Sequence, residues 1–369
     1  MQRDVVIVGS GIVGMACAWA AKQRGRDVIV LEKDDHCVGA SIRNFGFVTV
    51  TGQGRGDTWQ RAKATRDVWC DIVESAGIAV LQRGLLVLAQ RDEAVAVLHA
   101  LCEQAEGQDL RWLDRRALVK QHPVFDRPGI QGALYSPHEL RIESRNAVPQ
   151  LRRWLQAQGV EFQSGVVANL ANDGALRANG VPVNYRDLAI APGADLRSFA
   201  PEMIGHAGIR TCRLSMMRVR PPDGYVLPAP VMSDLSLIRY RGYAELPESK
   251  LLHDRLLREQ PDHIAHGVHL IVVQSADGSL VVGDSHHYGT TIEPFAHSRS
   301  EALILDEMQA VLQLPHFEVV ERWVGYYPSG PVDAIVHPLA KHASLVSVTS
   351  GTGMSTSFAL AQEWAKERL

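Results

Sequence analysis

The run VVIVGSGIVG, Val5 to Gly14, constrains this chain more than any other stretch. An uncharged apolar run at 4–8 leads into three glycines at G-x-G-x-x-G spacing, and an alanine-rich helical run follows over 12–24. At such a turn Gly9 permits the tight bend, Gly11 lets backbone approach a pyrophosphate, and Gly14 allows close helix–strand packing. The helix N-terminus, with Ser10 before it and Ile12 in its first turn, offers unpaired N–H groups and partial positive charge to phosphates. A second strand, Asp27–Leu31, ends at Glu32 and Lys33. A carboxylate placed there accepts ribose hydroxyls and opposes a 2′-phosphate. This βαβ opening is read as a dinucleotide site.

The 369 residues predict roughly two domains. With 46% hydrophobic residues and a net charge of -3, a folded core is expected, and neither nucleic acid nor a membrane surface is indicated. Cysteines 17, 37, 70, 102 and 212 never fall in C-x-x-C spacing. That pattern fits a reducing cytoplasm and gives no disulfide framework or zinc site. A signal-peptide reading of Val5–Ala21 fails because Asp4 offsets Arg3 and because cleavage would remove the fingerprint. No metal is expected.

Further along, helices are expected near 57–76, 92–106, 113–123, 146–159 and 298–313, with strands in 84–90 and 132–144. VEFQSGVVANL and VNYRDLAIAPGAD return to β-character, the second ending in a glycine turn. Residues 213–300 read as a mainly antiparallel sheet, with LSLIRYRGYAEL, GVHLIVVQSA and SLVVGDSHH as short strands. The chain ends as it began, with a strand, a glycine turn (SGTGMSTS, 350–357) and a helix. The expected fold class is α/β, or two-domain α+β. A Rossmann-like nucleotide domain would be assembled from 1–83, 142–212 and 321–369. A substrate domain with a mainly antiparallel sheet would comprise 84–141 and 213–320.

Where nicotinamide enzymes usually continue βαβ repeats, this chain has the glycine-rich loop VGASIRNFGFVTVTGQGRG, 38–56, before a long helix. That loop and the C-terminal SGTGMSTS make the chain resemble the flavin amine-oxidoreductase superfamily of D-amino-acid, glycine and sarcosine oxidases. The resemblance implies noncovalent FAD, since no cysteine falls in WVGYYPSG, 323–330. It implies Gly39, Ala40 and Ser41 along the pyrophosphate and ribityl chain, with Arg43 and Asn44 near the flavin ring. A strand around Val166 and Val167 would contact the adenine, and Pro192 and Gly193 would lie near the nucleotide. Gly351, Thr352, Gly353, Met354 and Ser355 would present backbone donors to a reduced flavin, whose negative charge a helix N-terminus stabilises.

In glycine and D-amino-acid oxidases, a W-x-G-x-R-P stretch carries an arginine that clamps the substrate carboxylate. Here Tyr327 stands at that place. A phenol cannot make a bidentate, charge-assisted clamp, so a standard α-amino acid is placed in doubt. Tyr326 and Tyr327 are equally readable as core aromatics. Arg43, Asn44, Thr49 and Gln53 form a donor set suited to an oxyanion. Arg239 and Arg241, two apart, could share a face or line a solvated edge strand. His286, His287 and Tyr288, after Asp284 and Ser285, suggest a site wall, although adjacent histidines in a strand point to opposite faces.

These motifs resemble a branch linked to aminophosphonate breakdown, which acts on 2-aminoethylphosphonate or its N-methyl or hydroxy derivatives. The implied partners are a small anionic amine and O₂ or another acceptor. The implied reaction oxidises the carbon bearing nitrogen, and the imine hydrolyses to an aldehyde and ammonia or methylamine. His286, His287, Tyr288 or Tyr327 would handle the amine proton. A glycine, sarcosine or D-amino-acid oxidase, a flavin dehydrogenase of hydroxy acids or polyol phosphates, and a non-catalytic flavoprotein component of a larger oxidase remain open alternatives.

Overall fold

The computed structural model describes residues 3–204 and 207–369. Its organising element is a 23-residue strand, Glu318–Ala340. The first half of this strand pairs antiparallel with Arg210–Arg220, and the second half pairs antiparallel with Ala343–Ser350. Both partners meet it at Ser329, opposite Arg210 on one side and Ser350 on the other. One strand thereby joins a parallel sheet to a mixed one.

The parallel side runs in the order Ala343–Ser350, Tyr185–Ile190, Arg3–Val8, Val28–Leu31, Glu161–Gln163. Its strands are apolar on both faces, as a covered parallel sheet requires. Val5, Ile7, Val28 and Val30 enter one buried cluster, while Val6, Val8, Ile29 and Leu31 enter another on the opposite face. Helices Ile12–Gln23, Asp57–Ser75, Ser144–Ala157 and Gly353–Arg368 contribute to the first cluster. Phe358 is its keystone, meeting Trp19 and Trp69 edge-on at 5.3 and 5.2 Å. Trp69 also donates its indole N–H to the Met354 carbonyl at 2.9 Å, fixing the start of the last helix.

The other side continues from Arg210–Arg220 through Leu280–Gly283, Ile271–Gln274, Val231–Met232, Val80–Ala89 and Gly132–Ile142 to Phe47–Val48. Most of these pairs are antiparallel, although Val231–Met232 runs parallel to Val80–Ala89. Three sequence expectations need correction. LSLIRYRGYAEL is not a strand: it holds the helical turns Asp234–Leu237 and Arg241–Ala244. Its Leu, Ile and Tyr content suggested strand, but the Tyr240 N–H bonds to the Ser236 carbonyl within the segment. The helix Ser249–Glu259 was not anticipated, although Leu252 and Leu256 are buried one turn apart. Val166 and Val167 lie between the short strands Glu161–Gln163 and Ala168–Leu170 rather than within one. No helix among the described residues is long and apolar enough to cross a membrane.

Replacing Phe358 with Ala should cost about 3–5 kcal/mol of unfolding free energy in a urea titration, because three helices lose their shared aromatic contact. A loss below about 1 kcal/mol would show that the cluster repacks around the gap.

Candidate active site

A cavity of about 380 Å³ lies where the two halves of the sheet meet. The N-termini of two helices face it, at Gly11–Ile12 and at Thr352–Gly353. Neither helix has a side-chain N-cap or an acidic residue in its first turn. Both ends therefore present partial positive charge to whatever the cavity holds.

The glycine loop is shaped by close approaches. Gly9 has φ of +99°, and a Cβ there would meet the Ala191 carbonyl oxygen at 2.3 Å. A Cβ on Gly14 would meet the Gly9 carbonyl oxygen at 1.9 Å. On Gly11 it would stand 3.1 Å from Ser41 Oγ, filling the cradle in front of the helix. Ser41 Oγ accepts from the Ile12 N–H at 2.9 Å, tying the second loop to the first. Glu32 is buried beside them: its Oε2 accepts from Ser10 N–H and Oγ at 2.7 and 2.8 Å, and its Oε1 from Asp34 N–H at 3.1 Å. The Val166 N–H bonds the Glu32 carbonyl at 2.8 Å. Helix N-termini without acidic residues, a cradle that a Cβ would fill and a fixed carboxylate are the parts an adenine dinucleotide needs.

The remaining expected cofactor residues separate. Ala40, Arg43, Asn44, Gly193 and 351–355 line the cavity. Lys33 instead pairs with Asp195 at the surface, and Val167 is exposed with its N–H on Asn179 Oδ1. Asn44 does not offer its amide to a ligand: it donates to the Ala40 and Ser41 carbonyls and accepts from Gly46 N–H. Thr49 donates its hydroxyl to the Thr51 carbonyl, and Gln53 donates to the Thr49 carbonyl. The loop thus spends most of the donors assigned to an oxyanion on holding itself. Arg43 gives one N–H to the Val324 carbonyl.

The polar centre lies opposite, on the mixed sheet. Arg239 and Arg241 do not share a strand face. Arg241 sits at the rim, paired with Asp333 and Glu245, whereas Arg239 reaches inward from between two helical turns. Its Nη2 donates to Tyr288 Oη at 2.6 Å and lies 3.4 Å from Tyr327 Oη. Burial keeps both phenols protonated, raising the pKa of Tyr327 well above 10 and that of Tyr288 more modestly. Tyr327 also packs on Gly351, where a Cβ would come within 2.9 Å of its ring.

His286 lines the cavity, but His287 does not; it turns away to Ser300 Oγ at 3.2 Å, as strand alternation requires. Sequence reasoning missed His269, whose Nε2 lies 2.7 Å from Asp284 Oδ1. Its signal was faint, a single histidine at the start of the apolar run HLIVV. Burial pushes the Asp284 carboxyl up, but contact with His269 and the charge of Arg239 outweigh that and hold it ionised below the usual range. His269, Asp284 and His286 converge closely, with His269 Nε2 2.7 Å from Asp284 Oδ1 and the charge of Arg239 acting on the same group.

Comparison with known proteins decides the class. The family model described as DAO, FAD dependent oxidoreductase, matches residues 4–367. The chain belongs to this family. Its cofactor is FAD, for which the cradle around Gly11 and the two helix ends are suited. Among curated relatives, an opine oxidase component from Rhizobium meliloti is 24% identical over 247 residues, covering 62% of this chain and 66% of its own. The chain spans between half and two thirds of the length of the curated relatives that head the comparison. Glycine oxidase from Bacillus cereus superposes with a TM-score of 0.77 at 18% identity, covering 99% of this chain and 94% of that one. L-alpha-glycerophosphate oxidase from Mycoplasma pneumoniae, with FAD bound, gives 0.76 at 16% identity over 98% and 94%. These structural likenesses establish the fold.

Glu32→Ala should weaken FAD binding by roughly 10- to 150-fold, the equivalent of losing about 1.5–3 kcal/mol of charged hydrogen bonding. Fluorescence titration of the apoprotein reads this directly, and an unchanged Kd would remove Glu32 from the ribose site.

Proposed function

We propose that this FAD enzyme oxidises the C–N bond of a small amine carrying an anionic group, with Arg239 as the anion anchor. The arrangement around Arg239 carries the reading. Among the described residues its guanidinium is hydrogen-bonded to two phenols and ion-paired to no carboxylate. Tyr288 and Tyr327 accept from Arg239, and each phenol can still donate its own O–H, with the Cys212 thiol the protein group lying beside both. A bound anion is then met by one cation and two hydroxyl donors.

Three donors on separate side chains suit a tetrahedral anion with three oxygens better than a planar carboxylate. We therefore place 2-aminoethylphosphonate and its N-methyl or hydroxy derivatives first among substrates, with an aldehyde and ammonia or methylamine as products. Bound FAD would supply the acceptor for the hydride lost from the carbon bearing nitrogen. The chain's own residues bind the anion at Arg239, orient the C–H bond and exclude water. Asp284, ionised on the same wall, faces the cationic end of a zwitterion. O₂ is the acceptor assigned by default.

Arg239→Met should lower kcat/KM for 2-aminoethylphosphonate by about 10²–10³-fold while changing that for propylamine less than about threefold, as expected when a charge-assisted contact is removed. Equal losses on both amines would show that Arg239 supports the fold and not the anion. Tyr327→Arg should raise the glycine-to-phosphonate ratio of kcat/KM by about tenfold or more, since an arginine clamps a carboxylate in bidentate fashion; an unchanged ratio would place selectivity elsewhere.

A further inference from the structure

His286 has two ring nitrogens in different surroundings. Nδ1 lies 3.0 Å from the Gly267 carbonyl oxygen, which only accepts, so Nδ1 carries the proton. Nε2 is left with its lone pair, 3.7 Å from Asp284 Oδ2. The groups facing this ring come from every element around it. Asp284 follows the strand Leu280–Gly283, and His269 stacks on the ring at 5.1 Å, with Tyr240 packed edge-on behind it at 5.5 Å. Tyr288 lies at 6.3 Å, Tyr327 on the long strand at 6.4 Å, and Arg239 acts from the helical segment.

Two full charges pull in opposite directions. Asp284 favours a proton on Nε2 and Arg239 opposes it. Burial, reinforced by Arg239, wins in the free site and pushes His286 well below its usual range, so the ring there is neutral and weakly basic. Asp284 is held ionised and the tyrosines protonated, so neither changes charge near neutral pH.

We infer that an anion seated on Arg239 arms His286 as the base that takes a proton from the substrate's ammonium nitrogen. The anion offsets the guanidinium's field while leaving that of Asp284 in place. One N–H bond of the ammonium breaks and its electron pair stays on nitrogen; an N–H bond forms at His286 Nε2, and nothing is oxidised or reduced in this step. The freed lone pair is what loss of hydride from the adjacent carbon requires. Amines lacking the anion would meet a poorer base as well as a poorer grip, so selection acts on kcat as well as KM. This inference rests on Arg239 being the anion anchor.

Calorimetric titration of the holoenzyme with propane-1-sulfonate tests it, because this anion has no amine and does not itself titrate. Run near pH 6, about the unperturbed range of histidine, in two buffers of different ionisation enthalpy, it reads the protons taken up per ligand bound. The expected result is uptake on the order of 0.5 proton in the wild type. His286→Gln should bind the sulfonate within about threefold of wild type with no uptake, and His269→Gln should retain it. Sulfonate binding without uptake in the wild type, or uptake that survives in His286→Gln, overturns the coupling while leaving the anchor standing. No binding at all overturns both.

Discussion

The site depends on one strand changing partners. Along Glu318–Ala340 the pairing passes from Arg210–Arg220 to Ala343–Ser350 at Ser329, and Tyr326, Tyr327 and Pro328 are the residues just before the exchange. A hydrogen-bonded strand is stiff, so Tyr327 is held at a fixed distance from both halves of the molecule. On one side it packs against Gly351, which leads to the uncapped helix end at Gly353; on the other it meets Arg239. The cofactor cradle and the substrate wall are thereby registered against each other through main-chain bonds rather than through a mobile loop.

The electrostatic design follows from what each charge in the cavity is paired with. Arg241 is neutralised by Asp333 and Glu245 at the rim, while Arg239 is left with neutral phenols. Removing a guanidinium from water is costly unless a partner is supplied. In the proposed function a ligand anion is that partner. Asp284 lies on the same wall with His269 and His286 beside it.

Much of the cofactor half was legible because its constraints are local. Gly9, Gly11 and Gly14 are forced by contacts within the same βαβ unit, and Glu32 ends the strand next to them, so spacing alone located them. The C-terminal glycine turn was equally plain. The substrate half was not, since its residues are assembled over long separations. Arg239 was read as a strand residue because Leu, Ile and Tyr surround it; the backbone there is a turn between the helical segments Asp234–Leu237 and Arg241–Ala244, and Arg239 reaches inward from it while Arg241 stays at the rim. Asn44, Thr49 and Gln53 looked like free donors because no sequence pattern shows that loop carbonyls consume them. His269 could not be singled out at all, since its meaning lies in Asp284, fifteen positions away. The missing arginine at Tyr327 was visible, but the presence of Arg239 beside it, from another element, was not.

The most direct test of the anion anchor is the rate of anaerobic flavin bleaching by a matched set of amines: 2-aminoethylphosphonate, its N-methyl form, glycine, D-alanine and propylamine. The account predicts bleaching by the phosphonates at least about 10²-fold faster than by propylamine at equal concentration, the difference a lost ionic contact makes, with glycine and D-alanine behind the phosphonates. Bleaching by propylamine as fast as by the phosphonates, or by glycine and D-alanine with none by the phosphonates, would contradict it.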